Sequence, residues 1–298
     1  MGYKLRPHDP ASEVRKVVRQ GIDNAIEALG APVAERAEGI HQARKRFKEL
    51  RALLRLVREP LGREFKRENQ RLRDLGRALA ESRDAAAMLE CWDLLAERFP
   101  KPFAEEGLRK TRRRLRDRAR RSETETSGID ERIVDATAEL QSLCNRIETW
   151  TLDENGFELF AAGVKRTYAD GCAELAKARL DLSDEQLHQW RKRVKDHWYQ
   201  TRLLAPSWPT LMRLRGDTLK RLADMLGDDH DLAMMLQLMQ RTPDLFGEPD
   251  QLARLEVMIA ERRSELQSSA LKTGGELYVD APDALVARWR RYWSDAQR

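Results

Sequence analysis

Aromatic residues are scarce in this chain, only 6% of its 298 positions, and no useful run of alternating β-branched residues occurs. Strands draw on those residue types, so a strand-built fold is excluded. Cysteine is scarcer still. Cys91, Cys144 and Cys172 are odd in number and far apart, which rules out both a disulfide framework and zinc-ligand spacing. No apolar run approaches the ~18 residues that a membrane span needs, and no signal-peptide apolar segment opens the chain. The expectation is a soluble, cytoplasmic protein with no membrane partner. Phosphate-loop, dinucleotide, nucleophile-elbow and zincin signatures are also missing. No enzyme pattern emerges, and no cofactor is expected.

Charge is abundant and unevenly placed. The formal net charge is +5, yet residues 1–149 hold 33 Lys and Arg against 26 Asp and Glu, while residues 150–298 hold 22 against 24. Modest net charge with a basic first half points to a localised patch rather than a histone-like protein. Arg outnumbers Lys by 42 to 13. Arg presents a planar fork suited to phosphate oxygens, although a GC-rich genome enriches Arg everywhere.

Apolar residues recur with helical spacing. Ile40, Ala43, Phe47, Leu50, Leu54 and Val57 step by three and four, and Leu187, Trp190, Val194, His197, Thr201 and Leu204 do the same less purely. The pattern predicts helices at about 11–29, 37–58, 61–98 (broken near Gly76), 103–121 and 129–149. The second set falls at about 156–178, 184–204, 208–241, 250–270 and 282–295. Pro60, and Pro206 with Pro209, are expected to end two of these helices, and Gly274–Gly275 to break another. Ser183 with Gln186 reads as a capping box. The fold class is all-α, with short connections that favour antiparallel bundles.

The two sets of helices share one text. Residues 41–57, HQARKRFKELRALLRLV, reappear at 188–204 as HQWRKRVKDHWYQTRLL, and the offset of 147 then holds without a gap. Residues 1–149 and 150–298 are therefore two halves of one duplicated domain spanning 1–298. A duplicated core needs only the apolar pattern, but here the cations repeat as well. One residue away from each apolar stripe runs a row of His41, Arg44, Lys48, Arg51 and Arg55, matched by His188, Arg191, Lys195 and Arg202. One residue turns a helix by about 100°, so this row borders the buried seam. Lys45 and Lys192 accompany it. Glu49 and Asp196 fall elsewhere around the helix, where they are expected to screen outer cations. Neighbouring helices carry matched cations in Lys66 and Arg213, Arg73 and Lys220, Arg116 and Arg263, and Arg19 and Arg166. Converging rows of this kind would line a positive groove or cavity facing one anionic ligand. The dense run RKTRRRLRDRARR at 109–121 reads as a solvated face or a nonspecific phosphate contact.

Two alternatives sit beside that reading. Glu38 with His41, and Glu185 with His188, each form Glu-x-x-His, as in di-iron carboxylate bundles. However, no matched Glu stands out on two further helices, and the Arg and Lys that follow each His are poor neighbours for a dication. A nonspecific nucleic-acid or polyanion binder is the other reading. The tryptophans are spaced as core residues and do not interleave with Arg as stacking platforms, Arg288–Trp293 being the nearest approach. Asp84 and Asp231 recur after a cation in both halves and are expected to hold neighbouring Arg side chains.

With the repeat and its cations assembled, the chain closely resembles the CHAD family of histidine-containing α-helical domains. The residues that carry the likeness are His41-Gln-Ala-Arg-Lys-Arg with Arg55, Ser82-Arg83-Asp84, Lys165-Arg166-Thr167-Tyr168, Leu187-His188-Gln-Trp-Arg-Lys-Arg-Val-Lys195, and Leu226-Gly227-Asp-Asp-His230-Asp231-Leu232. The resemblance implies two fused bundles, about four main helices each, related by a pseudo-twofold axis with basic residues converging between them. It implies non-catalytic binding of inorganic polyphosphate and association with polyphosphate granules. Such domains often follow a triphosphate-tunnel domain. Its E-x-E-x-K signature is missing here, so a stand-alone binding domain is expected. One departure lies at Leu75-Gly76, since Ala80 occupies the position that matches Gly227.

Overall fold

The computed structural model describes residues 3–80, 84–124 and 128–298. All fourteen elements longer than a single 3-10 turn in that range are α-helices. The first half comprises α1 (Pro10–Leu29), α2 (Arg36–Leu56), α3 (Arg58–Leu61), α4 (Arg63–Ala78), α5 (Asp84–Arg98), α6 (Pro100–Phe103), α7 (Glu106–Thr124) and α8 (Ile129–Arg146). The second comprises α9 (Glu158–Ala178), α10 (Asp184–Leu203), α11 (Pro209–Arg241), α12 (Pro243–Phe246), α13 (Pro249–Leu277) and α14 (Pro282–Asp295). The all-α class is as the periodicity predicts.

Local chemistry explains most helix starts. Asp9 accepts from the Ser12 amide at 3.1 Å and Pro10 occupies the first position of α1. Proline also opens α11, α12, α13 and α14, where its missing N–H would have had no intrahelical partner. Ser183 caps α10 by accepting from the Gln186 amide at 3.4 Å. The reciprocal arm of the capping box is absent, because the Gln186 side chain donates to Glu174 at 2.7 Å and Asp181 takes the Ser183 amide at 2.8 Å.

Three expected boundaries shift. Pro60 does not end the second helix: α2 stops at Leu56, and Pro60 sits in the first turn of α3, where proline is tolerated. The long 61–98 helix is two helices, and α4 runs through Gly76 to Ala78. Gly274 and Gly275 do not break α13. A Cβ at Gly274 would lie 2.5 Å from the Trp190 ring, so the glycine admits a tryptophan that is fully buried.

Two apolar cores form, and their division does not follow the chain midpoint. The larger joins α1, α2, α4 and α8 to α9, α10, α14 and the near end of α11, and includes Phe47, Leu50, Phe160, Trp190 and Trp293. The smaller packs α5–α7 of the first half against the far end of α11, α12 and α13, with Trp92 edge-on to Phe103 at 4.9 Å. Helix α11, 33 residues long, crosses both. Truncating a ring as buried as Trp92 or Trp190 costs about 3–5 kcal/mol.

Candidate functional site

The apolar stripes of α2 and α10 are drawn into the larger core, which carries the adjoining cationic rows to its margin. The C-terminal halves of the two helices cross in opposite senses: Arg55 reaches Asp196 at 3.0 Å, and Arg202 reaches Glu49 at 3.1 Å. Arg46 and Arg193 complete the same arrangement on each side, 2.7 Å from Glu49 and 3.3 Å from Asp196. All six residues obey the 147-residue offset, and such reciprocity is what an isologous contact produces. Glu49 and Asp196 are thus buried bridges between the halves, not the outer screens that their helical positions suggested.

On the Asp196 side of this crossing, α2, α4 and α10 enclose a cavity of about 560 Å³. From α2 it receives Arg44, Lys48, Arg51 and Arg55; from α4, Arg73 and Arg77; from α10, His188, Arg191, Lys192, Arg193 and Lys195. Among the described residues, ten Lys and Arg side chains thereby line the cavity with one carboxylate, that of Asp196. Lys48, Arg77 and Lys192 are exposed, so the cavity meets solvent. Crowding registers on Arg51. Burial, and then the neighbouring charges of Arg55, Arg73 and Arg77, push its guanidinium down to about 10. Asn69 on α4 accepts from Arg51 Nε at 3.0 Å and fixes its direction.

Arg191 owes its place to a glycine on the next helix. A Cβ at Gly227 would lie 2.7 Å from Arg191 Nη2, so α11 leaves room there for the guanidinium. Beside it, His188 packs on His230 of α11 with ring centroids 4.4 Å apart. Burial, then His230, Lys192 and Arg191, push His188 down to about 4, which leaves its ring neutral near pH 7. Burial and Arg191 lower His230 too. The Leu226–Leu232 segment therefore backs the α10 row directly.

The remaining sequence-selected residues lie elsewhere. His41 and Lys45 are half-buried on α2 but do not line the cavity. Arg202 faces the opposite side of the crossing. There it shares a cavity of about 320 Å³ with Tyr3, Arg46 and Glu49, and its guanidinium lies 5.0 Å over Trp198 and 5.4 Å over Tyr3. Arg19 is paired with Glu148, Arg166 with Glu59 at 2.7 Å, and Lys220 with Asp224 at 2.6 Å. Arg263 is held by Asp229 at 2.9 Å and Asp184 at 2.5 Å. Lys66 and Arg213 are exposed and outside the cavity. Arg116 is half-buried on α7, and its basic neighbours are engaged locally, Arg112 with Asp93 at 2.7 Å and Arg113 with Glu106 at 2.7 Å. For Arg19, Arg166, Lys220 and Arg263 the local acidic partner decides the direction of the cation, and the repeat carries no information about that partner.

The Asp84 side chain, Ser82 and Arg83 lie outside the described residues. Asp231 is half-buried near α5. After burial itself, its charge and that of Asp228 raise the Cys91 thiol. Glu38 accepts from Gln42, and Glu185 from Gln189, one turn along each helix. Among the described residues no three His, Cys, Asp or Glu side chains gather as a metal site would require. No described helix is long and apolar enough to cross a membrane.

The residues that sequence reasoning missed are Arg77, Arg193 and Asn69. Arg193 was available as the repeat partner of Arg46. Arg77 corresponds to Asp224, so duplication gave no signal for it.

No curated protein and no solved structure matches this chain. The family model described as the CHAD domain does match, over residues 18–240, a span that takes in α2, α4, α10 and nearly all of α11. The chain belongs to the CHAD domain family.

Proposed function

We propose that the cavity between α2, α4 and α10 binds inorganic polyphosphate, and that the protein acts by binding rather than by catalysis. The observation that carries this reading is the lining itself, which among the described residues sets ten cations from both halves beside a single carboxylate. Like charges held this close repel one another, and a polyanion threaded between them removes that cost. Arg44, Arg51, Arg55, Arg73, Arg77 and Arg191 offer forked donors to non-bridging oxygens, while Lys48, Lys192 and Lys195 act as point charges near the opening. His188, neutral near pH 7, lines the cavity and can donate one N–H to an anion or take a proton as it binds.

Membership of the CHAD family supports the same ligand, and with that ligand we infer work on polyphosphate granules in the cytoplasm. The nucleic-acid alternative is weaker on a specific point. Among the described residues, Phe47 and Tyr199 of the cavity wall are 1% and 4% exposed, and the half-buried His188 ring is packed on His230, a poor platform for a stacked base.

The test is competition at physiological salt, labelled long-chain polyphosphate against single-stranded RNA at equal phosphate. Retention of polyphosphate against excess RNA is the expected result, and displacement at par would reduce the cavity to a generic polyanion surface. The double variant Arg44→Glu with Arg191→Glu should abolish binding while helicity persists. Unchanged binding would remove the site assignment.

A further inference from the structure

The second half also holds a half-buried guanidinium that, among the described residues, has no carboxylate. Arg215 of α11 approaches the His197 Nε2 through its Nε and Nη2, at 3.3 and 3.1 Å, and its Nη2 donates to the Leu277 carbonyl at 3.0 Å. The group lies 5.7 Å over the Tyr168 ring. Asp280, the nearby acid, is taken by Arg288. Among the described residues Arg215 makes no ion pair and its Nη1 no hydrogen bond, an unusual state for a half-buried cation. Arg215 lines the adjoining space.

That space is a cavity of about 250 Å³ between α11 and α14, walled mainly by leucines with Trp289 and Tyr292; of its two cations, Arg288 is neutralised by Asp280 and Arg215 is not. Its rim is apolar and wet: Leu211 and Leu214 are 39% and 58% exposed, and the neighbouring Trp208, 47% exposed, packs edge-on against Tyr292 at 4.6 Å. An exposed apolar rim around an unmatched half-buried cation is complementary to a molecule that carries one negative charge on an apolar body. None of its lining residues is shared with the polyphosphate cavity.

We propose that this cavity binds a medium-chain carboxylate, its head accepting from Arg215 and its aliphatic chain covering Leu211 and Leu214. A carboxylate matches the open edge of the guanidinium and delocalises one charge over two oxygens. A multiply charged phosphate would lose far more hydration on entering walls made of leucine, tryptophan and tyrosine.

The experiment titrates the full chain with octanoate and, in parallel, with octanol, following tryptophan fluorescence and thermal midpoint. Octanoate should bind saturably and raise the midpoint, with octanol weaker by about tenfold or more, the worth of a charged hydrogen bond. Leu214→Glu, at an exposed position that does not threaten the fold, should weaken octanoate by about tenfold or more through repulsion and loss of apolar cover. Arg215→Met should make octanoate and octanol equivalent. The proposal is overturned if octanoate fails to bind saturably, if octanol binds as well to the unaltered protein, or if Leu214→Glu leaves octanoate affinity unchanged.

Discussion

Arg55 donates to Asp196 across the crossing of α2 and α10, and the contact recurs in the opposite direction 147 residues away, from Arg202 to Glu49. The two pairs are chemically alike but face different surroundings. Among the described residues Asp196 is the sole carboxylate lining the basic cavity, whereas Glu49 lies on the far side with Tyr3 and Arg202. Asp196→Asn and Glu49→Gln should therefore destabilise the protein comparably, by about 3 kcal/mol for a broken buried pair. Only Asp196→Asn should tighten polyphosphate binding, because only it raises the potential of the cavity. Urea unfolding together with competition binding on both variants checks this. Equal affinity changes would refute the division into a binding side and a structural side.

Gly227 allows a cleaner separation of binding from stability. Replacing a mid-helix glycine with alanine favours the helix by roughly 0.5–1 kcal/mol. Here the new methyl would lie 2.7 Å from Arg191 Nη2 and force the guanidinium aside. Gly227→Ala is expected to keep or raise the thermal midpoint while lowering polyphosphate affinity by about tenfold, the loss of one charged contact. Gly216→Ala, on the same helix but outside the cavity, is the control. Its Cβ would find only Thr201, at 3.9 Å, and should leave binding unchanged.

These contrasts mark how far the sequence could be read. Helical period and the 147-residue repeat were enough to place the cationic rows of α2 and α10 and their approach to one another. They treated the copies as equals, and the fold does not. Arg55 and Arg202 are repeat partners, yet one lines the cavity and the other lies over Tyr3 and Trp198. His188 lines the cavity and His41 does not. Which member of a pair is used depends on the side of the crossing that α4 covers, a tertiary fact with no local signal. Arg77 and Asn69 are on α4 for the same reason. Gly274 read as a helix break because its partner, the Trp190 ring, lies 84 positions away in the chain.

Salt gives a quantitative check on the cavity. Binding of a flexible polyanion releases counterions, and the slope of log K against log salt falls by about 0.7 for each phosphate contact in a single strand. Lys48 and Lys195 line the cavity from opposite helices, and neither helps to build the apolar core. Lys48→Ala with Lys195→Ala should reduce the slope by about 1.4 while leaving unfolding almost unchanged. A slope that does not move would mean that the two ammonium groups touch no phosphate.

The second half should also respond to acid. His197 is fully buried, and burial, followed by the Arg215 charge, holds its ring far below the usual imidazole range. Its Nε2 faces the Arg215 donors and must accept, so the native state keeps the ring neutral. An unfolded chain protonates the same ring below about pH 6.5. The unfolded state then binds more protons than the native one, so the stability present above that pH is lost as pH falls, by up to about 1.4 kcal/mol per unit from this group. His188 and His230 are shifted in the same direction but are half-exposed, and solvent weakens their share. Urea midpoints measured from pH 7 to pH 5 should decline in the unaltered protein and decline less steeply in His197→Gln, whose amide oxygen can still accept from Arg215 but does not titrate. Parallel slopes would show that His197 takes up its proton in the native state and is not the group that sets acid sensitivity.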